Sequence, residues 1–314
     1  MAIELHAIDD TLCYFDLHEM GTSLHTCAYL YHGDQNVLIE TGATTSHAIL
    51  LEALQTAQVT PEQLDHVILT HVHLDHAGGA GKLASVAKNA RFHCHPRASR
   101  HLIDPSRLRQ GAYAVYGEAM NTMYGELIPI EADRVMAHED ESWLVLPDLK
   151  LQFLHTLGHA KHHICVYDPD RKVLFSGDSV GIRYLNEVTH FGKDLIFPSA
   201  SPPDFDPIQT IKTLERLQKM PIQTILHTHF GPSQASEAFE STRKETELLV
   251  SMAEFVYDET MTEATMQQAL CDHLAHRVNE LTGQVNPDCS KFGIDLMLNS
   301  QGLLHYMQNL HSTR

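Results

Sequence analysis

A dense group of metal-binding side chains, placed directly after a short apolar run, is the feature that most limits what this chain folds into. From residue 70 the chain reads Thr-His-Val-His-Leu-Asp-His-Ala-Gly-Gly, after the apolar residues 67–69. Alternate side chains of an extended chain point to the same side, so His71 and His73 can bind one ion together. Asp75 and His76, past the turn, can face a second ion nearby. A strand end that is merely polar accounts for one histidine but poorly for four spaced ligands.

Length and composition favour a soluble globular protein with one large domain, or with one domain and an appendage. The chain has 314 residues, of which 43% are hydrophobic and 20% are charged, and such a chain can bury a large core. No apolar run approaches the roughly 20 residues that a membrane span needs, and no secretory signal is visible at the start. Six scattered cysteines without a Cys-x-x-Cys pair indicate reduced thiols. We therefore expect a cytoplasmic protein with no membrane partner.

The charge of the chain limits the class of partner. The formal net charge of -18 argues against general affinity for nucleic-acid phosphate, which needs clustered lysine and arginine. Two bound divalent ions would reverse the local field, so an anionic small substrate stays compatible with this charge. The chain also has 24 histidines, so spacing rather than number must identify the ligands. We expect a small-molecule substrate and no nucleic-acid partner.

Strand and helix patterns alternate up to residue 233, and helical patterns alone follow. The alternation predicts two packed β-sheets with helices outside. Apolar positions at helical spacing predict one of these helices at residues 46–58. Residues 96–125 are predicted to be a helical insertion that can cover the site. The sequence therefore predicts a catalytic domain over residues 1–233 and a C-terminal helical extension over residues 234–314.

Three further segments place His or Asp beside glycine where an apolar run ends. They are residues 156–160 (Thr-Leu-Gly-His-Ala), 176–179 (Ser-Gly-Asp-Ser) and 227–231 (His-Thr-His-Phe-Gly). Loops at the ends of strands in an open sheet gather around a site. We therefore expect these segments to supply the ligands that the first motif lacks.

The complete set of motifs resembles the metallo-β-lactamase superfamily, whose pattern is His-x-His-x-Asp-His, then Gly-His, then Gly-Asp, then a final His. The resemblance covers about residues 5–232 and implies an α/β (α+β) protein, a four-layer αβ/βα sandwich with a C-terminal helical extension. Within the superfamily the chain is most similar to a little-characterised group of stand-alone hydrolases, and it also resembles glyoxalase II and a thioesterase-like branch. The resemblance implies a first metal bound by His71, His73 and His159, a second bound by Asp75, His76 and His229, and Asp178 as the bridging carboxylate.

Three departures from the family pattern concern the proposed site. Glu40 stands where Asp is common, which makes this acid one methylene longer. Leu157 precedes Gly158 where proline is usual, and this change is expected to loosen the turn before His159. His227 is an alternative to His229 as the last ligand, but the Thr-His-Phe-Gly sequence favours His229.

The resemblance implies two divalent metal ions and a hydrolytic reaction. Imidazole and carboxylate together suit zinc, iron or manganese, and we expect zinc, with iron and manganese as alternatives. Metal-bound hydroxide would attack a small ester, thioester or lactone, and Asp75 would act as the catalytic carboxylate that passes a proton to the leaving group. This scheme needs no nucleophilic serine, so the Gly-Asp-Ser-Val-Gly sequence at residues 177–181 is not required to act as a nucleophile elbow.

Other side chains are candidates for supporting the ligands or contacting the substrate, although a purely structural role competes for each. Metal-binding imidazoles usually donate their second N–H to an acceptor, and Glu40, Asp65 and His163 are candidates for orienting the ligands. His162 is a candidate for the same role or for contacting the substrate. The candidates for lining the mouth of the substrate pocket are Arg97, Arg183 and Tyr116.

Two other classes of function stay open at the level of sequence. One is an iron-dependent enzyme of persulfide or oxygen redox chemistry on the same fold. The other is a regulatory protein in which the metal site only stabilises a binding surface. The helices after residue 234 can serve as a lid, as packing against the catalytic domain, or as the contact of a homodimer.

Overall fold

The computed structural model of the chain describes residues 3–312, which form two compact units. Unit 1 contains the described residues up to His155, together with His162–Gly177 and Thr228–Gly231. Unit 2 contains Thr156–Lys161, Asp178–His227 and the described residues from Pro232 onward. The predicted division into residues 1–233 and 234–314 stays a prediction.

Unit 1 contains a seven-stranded sheet whose strands lie in chain order. Strands β1 to β4 pair antiparallel, and strands β4 to β7 pair parallel. Parallel neighbours need crossover connections, and helices supply them here. The strands are β1 His6–Ala7, β2 Leu12–Asp16, β3 Cys27–Tyr31, β4 Asn36–Ile39, β5 Leu64–Ile68, β6 Arg91–Cys94 and β7 Val135–Ala137.

The helices of unit 1 lie between these strands. The apolar spacing that predicted a helix at residues 46–58 is confirmed by α1, which buries Leu50, Ala53 and Leu54. The predicted insertion at residues 96–125 is confirmed as helical. The helices are α1 His47–Thr56, α2 Leu74–Ala77, α3 Ala80–Ala84, α4 Pro96–Ile103, α5 Ser106–Tyr116 and α6 Ala119–Tyr124.

A second, antiparallel group of strands in unit 1 packs on the first sheet. Phe175 contacts the rings of Tyr29 and Tyr31, with centroids 5.1 and 5.8 Å away. The Tyr31 hydroxyl donates to Asp168 Oδ2 at 2.7 Å. The expected packing of two sheets is therefore confirmed within unit 1. The strands are β8 Trp143–Val145, β9 Lys150–His155, β10 Ile164–Asp168 and β11 Val173–Gly177.

The remaining elements belong mainly to unit 2, where the predicted C-terminal helices are confirmed. The hairpin β12–β13 was not predicted, because three-residue strands give too short an alternation to recognise. Within residues 3–312, no helix combines the length and the apolar composition needed to cross a membrane. The elements are β12 Ile182–Tyr184, α7 Asn186–Thr189, β13 Leu195–Phe197, α8 Pro207–Leu217, β14 Thr224–His227, β15 Gly231–Gln234, α9 Ala235–Val256, α10 Glu263–Thr282 and α11 Ile294–Ser312.

The C-terminal helices share one apolar core with the hairpin β12–β13. Phe292, which precedes α11, contacts the rings of Tyr184 and Phe197 with centroids 4.9 and 5.5 Å away. Leu249 of α9 and Leu270 of α10 are buried in the same cluster. Packing within unit 2 therefore accounts for the apolar faces of these helices.

A chain of three hydrogen-bonded histidines lies in unit 1, apart from the ligand motif. His66 Nδ1 is 2.8 Å from His93 Nε2, and His93 Nδ1 is 2.7 Å from His138 Nε2. Each contact needs one proton between two nitrogens, so neutral rings satisfy it. Burial, and to a lesser degree the nearby His66, lowers the pKa of His138 to about 4. Burial followed by its two histidine neighbours holds the pKa of His93 well below its usual range.

We expect these histidines to make the free energy of unfolding fall as the pH decreases from about 6.5 towards about 4. The unfolded chain binds protons near the ordinary histidine pKa of about 6.5, whereas the folded chain does not, so acid favours unfolding. Urea unfolding at pH 7.5 and pH 5.0, after a chelator has removed any bound metal, measures the loss of unfolding free energy. The loss should be smaller in His138→Gln and unchanged in His32→Gln, which replaces an exposed histidine. Equal losses in all three proteins would contradict this assignment.

Candidate metal centre

The ligand motif begins where β5 ends and enters the short helix α2. His73 has extended backbone angles (φ -61°, ψ 151°) and directly precedes α2. The rings of His71 and His73 lie 4.4 Å apart between centroids. Asp75 and His76 lie on α2, rather than in an open turn. The structure therefore brings the four residues of the motif together at the end of one strand.

Asp75, His76 and His229 converge on one point in unit 1. Asp75 Oδ2 is 3.2 Å from His76 Nε2 and 3.2 Å from His229 Nε2. The two Nε2 atoms are 3.3 Å apart. Tetrahedral zinc with bonds of about 2.0–2.1 Å keeps its ligand atoms about 3.3–3.4 Å apart. The spacing of these three atoms therefore fits a zinc-sized ion.

The opposite nitrogen of each imidazole has an acceptor. His76 Nδ1 lies 3.2 Å from Glu40 Oε1, and His229 Nδ1 lies 2.9 Å from the carbonyl oxygen of His25. Donation from Nδ1 leaves the Nε2 lone pair of each neutral ring directed at the shared point. Two lone pairs and a carboxylate oxygen repel one another unless a cation lies between them. The donor set therefore matches a metal site.

Asp75 is ionised at neutral pH in this arrangement. Burial alone would raise its pKa, but the adjacent His76 and His229, which can take up protons where no metal is bound, outweigh burial and hold the pKa well below its usual range. A carboxylate ligand binds metal in its ionised form. Asp75 is thus in the protonation state that a metal ligand needs.

Glu40 supports this group from a fully buried position. Its Oε1 atom accepts hydrogen bonds from the hydroxyls of Thr70 and Thr228 in addition to His76. The backbone at Glu40 has a φ of +69°, and its N–H donates to the carbonyl of Ile68 at 2.9 Å. The longer acid at this position therefore contacts a ligand directly.

Unit 2 brings together the other two residues of the predicted set. His159 Nε2 lies 3.4 Å from Asp178 Oδ2, and both side chains are buried. His159 Nδ1 lies 3.3 Å from the carbonyl oxygen of Ser199. The two ring nitrogens of His159 thus have the same kinds of partner as those of His76 and His229: Nδ1 faces an acceptor, and Nε2 lies beside a carboxylate.

The turn before His159 is held firmly, although Leu157 replaces the usual proline. Thr213 Oγ1 donates to the Leu157 carbonyl, and Asp206 N donates to the Gly158 carbonyl, each at 2.7 Å. A Cβ atom on Gly158 would lie 2.6 Å from the backbone nitrogen of Thr210. These hydrogen bonds and the close approach to α8 restrain the turn, and the expected loosening stays a prediction.

The contacts of His227 differ from those of His229. His227 Nδ1 lies 3.1 Å from the Gly181 carbonyl, and its Nε2 lies 2.7 Å from Ser233 Oγ. Both nitrogens of His227 therefore have hydrogen-bonding partners within unit 2. His229 instead directs Nε2 at Asp75 and His76, which supports the choice of His229 as ligand.

The remaining sequence candidates near the ligands have different surroundings. His163 is fully buried, and its ring lies 4.8 Å from that of His71. His162 is half-buried, with its ring 5.7 Å from that of His73. His163 therefore lies beside His71, and His162 lies beside His73.

The three candidates for the substrate mouth have different surroundings. Arg97 is exposed on α4. Tyr116 is half-buried, with its ring 4.9 Å from that of Tyr124, in a cluster that also contains Leu74 of the ligand motif. Arg183 lies in unit 2, where it donates to Asp194 at 2.6 Å. Only Tyr116 thus joins a cluster that includes a residue of the motif.

Sequence reasoning missed the loop that orients His229. The His25 carbonyl accepts from His229, and Thr26 Oγ1 lies 3.5 Å from the same Nδ1 atom. The buried Glu19 carboxylate accepts from the Thr26 hydroxyl and lies 3.2 Å from His25 Nδ1. A backbone carbonyl leaves no mark in a sequence, and Glu19 lies among other polar residues such as Asp16 and His18, so neither group gave a signal.

Comparison with known proteins identifies the fold. A family model described as the metallo-beta-lactamase superfamily matches residues 21–229. Metallo-beta-lactamase fold-containing protein ST1585 of Sulfurisphaera tokodaii is 28% identical over 173 residues, which are 54% of this chain and 62% of that protein. Its crystal structure matches with a TM-score of 0.59 at 21% identity, over 88% of this chain and 92% of that one. The fold class and the family resemblance expected from the sequence are confirmed.

Two other relatives are named for activities that differ from each other. Acyl-coenzyme A thioesterase MBLAC2 of Homo sapiens is 29% identical over 118 residues, which are 36% of this chain and 40% of that protein. Transcription termination factor FttA of Cenarchaeum symbiosum is 27% identical over 197 residues, which are 56% of this chain and 27% of that protein. The chain covers less than two thirds of the length of each of these three curated relatives.

Proposed function

Because the chain belongs to the metallo-beta-lactamase superfamily, we propose that it is a metal-dependent hydrolase that binds two divalent ions and cleaves a small ester, thioester or lactone. The observation that carries the proposal is the convergence of Asp75, His76 and His229 within 3.3 Å of one another. Each imidazole in that group has its second nitrogen on an acceptor, as metal ligands do.

The proposed ligand set has two parts, one for each ion. His71, His73 and His159 bind the first ion, Asp75, His76 and His229 bind the second, and Asp178 is shared. In unit 1, the contacts of the Asp75 carboxylate with the Nε2 atoms of His76 and His229 support the site of the second ion. The 3.4 Å contact between His159 and Asp178 in unit 2, and the family pattern, support the first. When bound, ions of this kind act as Lewis acids that make water nucleophilic at neutral pH and polarise a carbonyl oxygen.

The chain's own side chains are assigned the proton transfers and the positioning. Asp75 is ionised, so its carboxylate can take a proton from the attacking water and pass it to the departing alkoxide or thiolate. Glu40 fixes the orientation of His76 by accepting from its Nδ1 atom. The His25 carbonyl does the same for His229. Hydrogen bonds donated to these two acceptors therefore hold both imidazoles with Nε2 facing the proposed ion.

A thioester is the substrate class we favour. The similarity to an acyl-coenzyme A thioesterase supports it. The similarity to a transcription termination factor raises RNA as a competing substrate, but a net charge of -18 opposes binding to a polyphosphate chain. We therefore place a small acyl thioester ahead of nucleic acid.

Metal analysis combined with a substrate panel tests the proposal. We expect protein purified without added metal to carry two equivalents of zinc and to cleave an acyl-coenzyme A thioester or an aryl ester. Chelation should abolish the cleavage, because the Lewis acid is removed, and added zinc should restore it. Elemental analysis and thiol release before and after chelation are the measurements.

Other results of the same experiment point to the other functions. A single equivalent of iron, with oxygen consumption on a persulfide, would replace hydrolysis by redox chemistry. Cleavage of an RNA oligonucleotide but of no ester, thioester or lactone would replace the substrate class. Two tightly held ions with no cleavage of any substrate would favour a regulatory protein with a structural metal site.

A further inference from the structure

The last helix of the chain, α11, presents a buried polar face within unit 2. Asp295, Asn299 and Gly302 lie at positions i, i+4 and i+7, which share one side of a helix. Asp295 and Asn299 are each 6% exposed. Asp295 Oδ2 accepts from the Tyr184 hydroxyl at 2.8 Å. Buried polar side chains lower stability unless they are hydrogen-bonded. The hydrogen-bonding partners of Asp295 and Asn299 therefore show which parts of unit 2 this helix keeps in place.

The partner of Asn299 is the peptide group that also binds His159. The Asn299 Oδ1 atom accepts from the backbone N–H of Ala200 at 2.6 Å. The carbonyl of the same peptide group, that of Ser199, lies 3.3 Å from His159 Nδ1. A single peptide unit therefore connects a side chain of the last helix to a proposed metal ligand.

Gly302 brings α11 directly against the next peptide group along the chain, Ala200–Ser201. A Cβ atom on Gly302 would lie 1.6 Å from the carbonyl oxygen of Ala200 and 3.0 Å from the carbonyl carbon of Ser201. No other residue type fits at this position without a shift of the backbone. Ala200 is fully buried, so α11 fixes it on one side by contact and on another by the bond to Asn299.

We infer that Asn299 is a positioning residue for the metal ligand His159, acting through the Ser199–Ala200 peptide. This inference rests on the proposed function, in which His159 binds the first ion. His159 donates from Nδ1 to the Ser199 carbonyl, and the Ala200 N–H donates to Asn299. Hydrogen bonds in such a chain polarise one another, so Asn299 makes the Ser199 oxygen a stronger acceptor. The stronger acceptor fixes the tautomer of His159 and makes its Nε2 a better ligand.

The inference gives the C-terminal helices a task in the metal site in addition to packing. Loss of a partner that orients a metal-binding histidine costs about 10- to 100-fold in metal affinity. Asn299 acts one step further away, so we expect the lower end of that range. The effect should be confined to one of the two ions, because His159 belongs to the first ion's ligands alone.

Zinc affinity of substituted proteins tests the inference without relying on catalysis. In Asn299→Leu, which removes the acceptor, one of the two zinc equivalents should bind about tenfold more weakly in chelator competition. The visible absorption of the cobalt-substituted protein should change as well, since it reports the geometry of the ligands. In Asn299→Asp, which keeps an acceptor oxygen at this position, affinity and spectrum should stay close to those of the unaltered protein.

Two further variants separate positioning from stability. Leu303→Ala removes a buried apolar side chain of α11 and should lower the free energy of unfolding while leaving zinc affinity unchanged. Gly302→Ala should weaken the same zinc equivalent as Asn299→Leu, because its Cβ displaces Ala200. Gly302→Ala also tests the inference if Asn299→Leu fails to fold.

The outcomes distinguish this inference from the proposed function. Unaltered protein without tightly bound metal would overturn both. Unaltered protein with two ions, and Asn299→Leu with the same zinc affinity and cobalt spectrum, would overturn the inference alone. Equal weakening by Leu303→Ala and Asn299→Leu would also overturn it, because α11 would then act only through stability.

Discussion

Asn substituted for Asp75 is expected to lower kcat/KM of the proposed hydrolase by about 10³-fold, within the range of a lost general acid–base group. The carboxylate oxygen lies 3.2 Å from the Nε2 atoms of both His76 and His229. The amide of Asn is neutral and cannot carry a proton to the leaving group. It also leaves the second ion with less negative charge, so this ion should bind more weakly. Thioesterase kinetics at saturating zinc, and zinc content after dialysis, measure the two effects.

A matched substitution on the preceding strand separates the site from the surrounding structure. Asp65 of β5 is half-buried and accepts from the backbone N–H of Asn36 at 2.9 Å. Asp65→Asn makes the same chemical change, keeps an acceptor oxygen, and should leave kcat/KM and zinc content close to those of the unaltered protein. If Asp75→Asn retained full activity with zinc at saturation, Asp75 would not be a catalytic group and the proton path would need another carrier.

The elements that the sequence predicted are those whose apolar period was long enough to read. The helix at residues 46–58 and the C-terminal helices have several turns of apolar spacing, and each is present. The hairpin β12–β13 escaped prediction because strands of three residues do not establish an alternation. The limit was therefore the length of the pattern, rather than a conflict between local preference and the final fold.

The candidate site was predictable to the extent that its side chains are adjacent in sequence or follow strand ends. The motif at residues 71–76 needed no tertiary information, because one strand and one helix turn hold it together. The groups that orient the ligands were not predictable in the same way. Two of them are the backbone carbonyls of His25 and Ser199, which any residue type could supply.

The number of histidines in this chain did not indicate which of them bind metal. The hydrogen-bonding partner of the second ring nitrogen distinguishes the proposed metal ligands from structural histidines. In His76 and His229, one nitrogen meets an acceptor and the other faces a carboxylate and a second imidazole. In His66 and His93, a nitrogen of one ring meets a nitrogen of the other in a hydrogen-bonded pair. The first arrangement fits a metal ion between the three groups, whereas the second requires a shared proton. Hydrogen-bond geometry thus distinguishes a metal ligand from a structural histidine where composition cannot.

Met substituted for Arg277 is expected to lower the free energy of unfolding by about 3–5 kcal/mol, the cost of leaving a buried charge without its partner. Arg277 of α10 donates from Nε and Nη2 to Glu245 of α9 at 2.9 and 2.6 Å. The two side chains are 6% and 3% exposed. Removal of the guanidinium leaves the Glu245 carboxylate buried and unpaired. Urea unfolding followed by circular dichroism measures the loss.

Two comparisons show whether the loss arises from the unpaired carboxylate. The double substitution Arg277→Met with Glu245→Leu removes both charges and should recover most of the stability, because apolar side chains of similar size replace buried ion pairs at little cost. Arg243→Met makes the same change on the surface of α9, where Arg243 pairs with Glu215 and Glu247, and should cost about 1 kcal/mol or less. A loss in Arg277→Met no larger than that of Arg243→Met would show that water reaches Glu245.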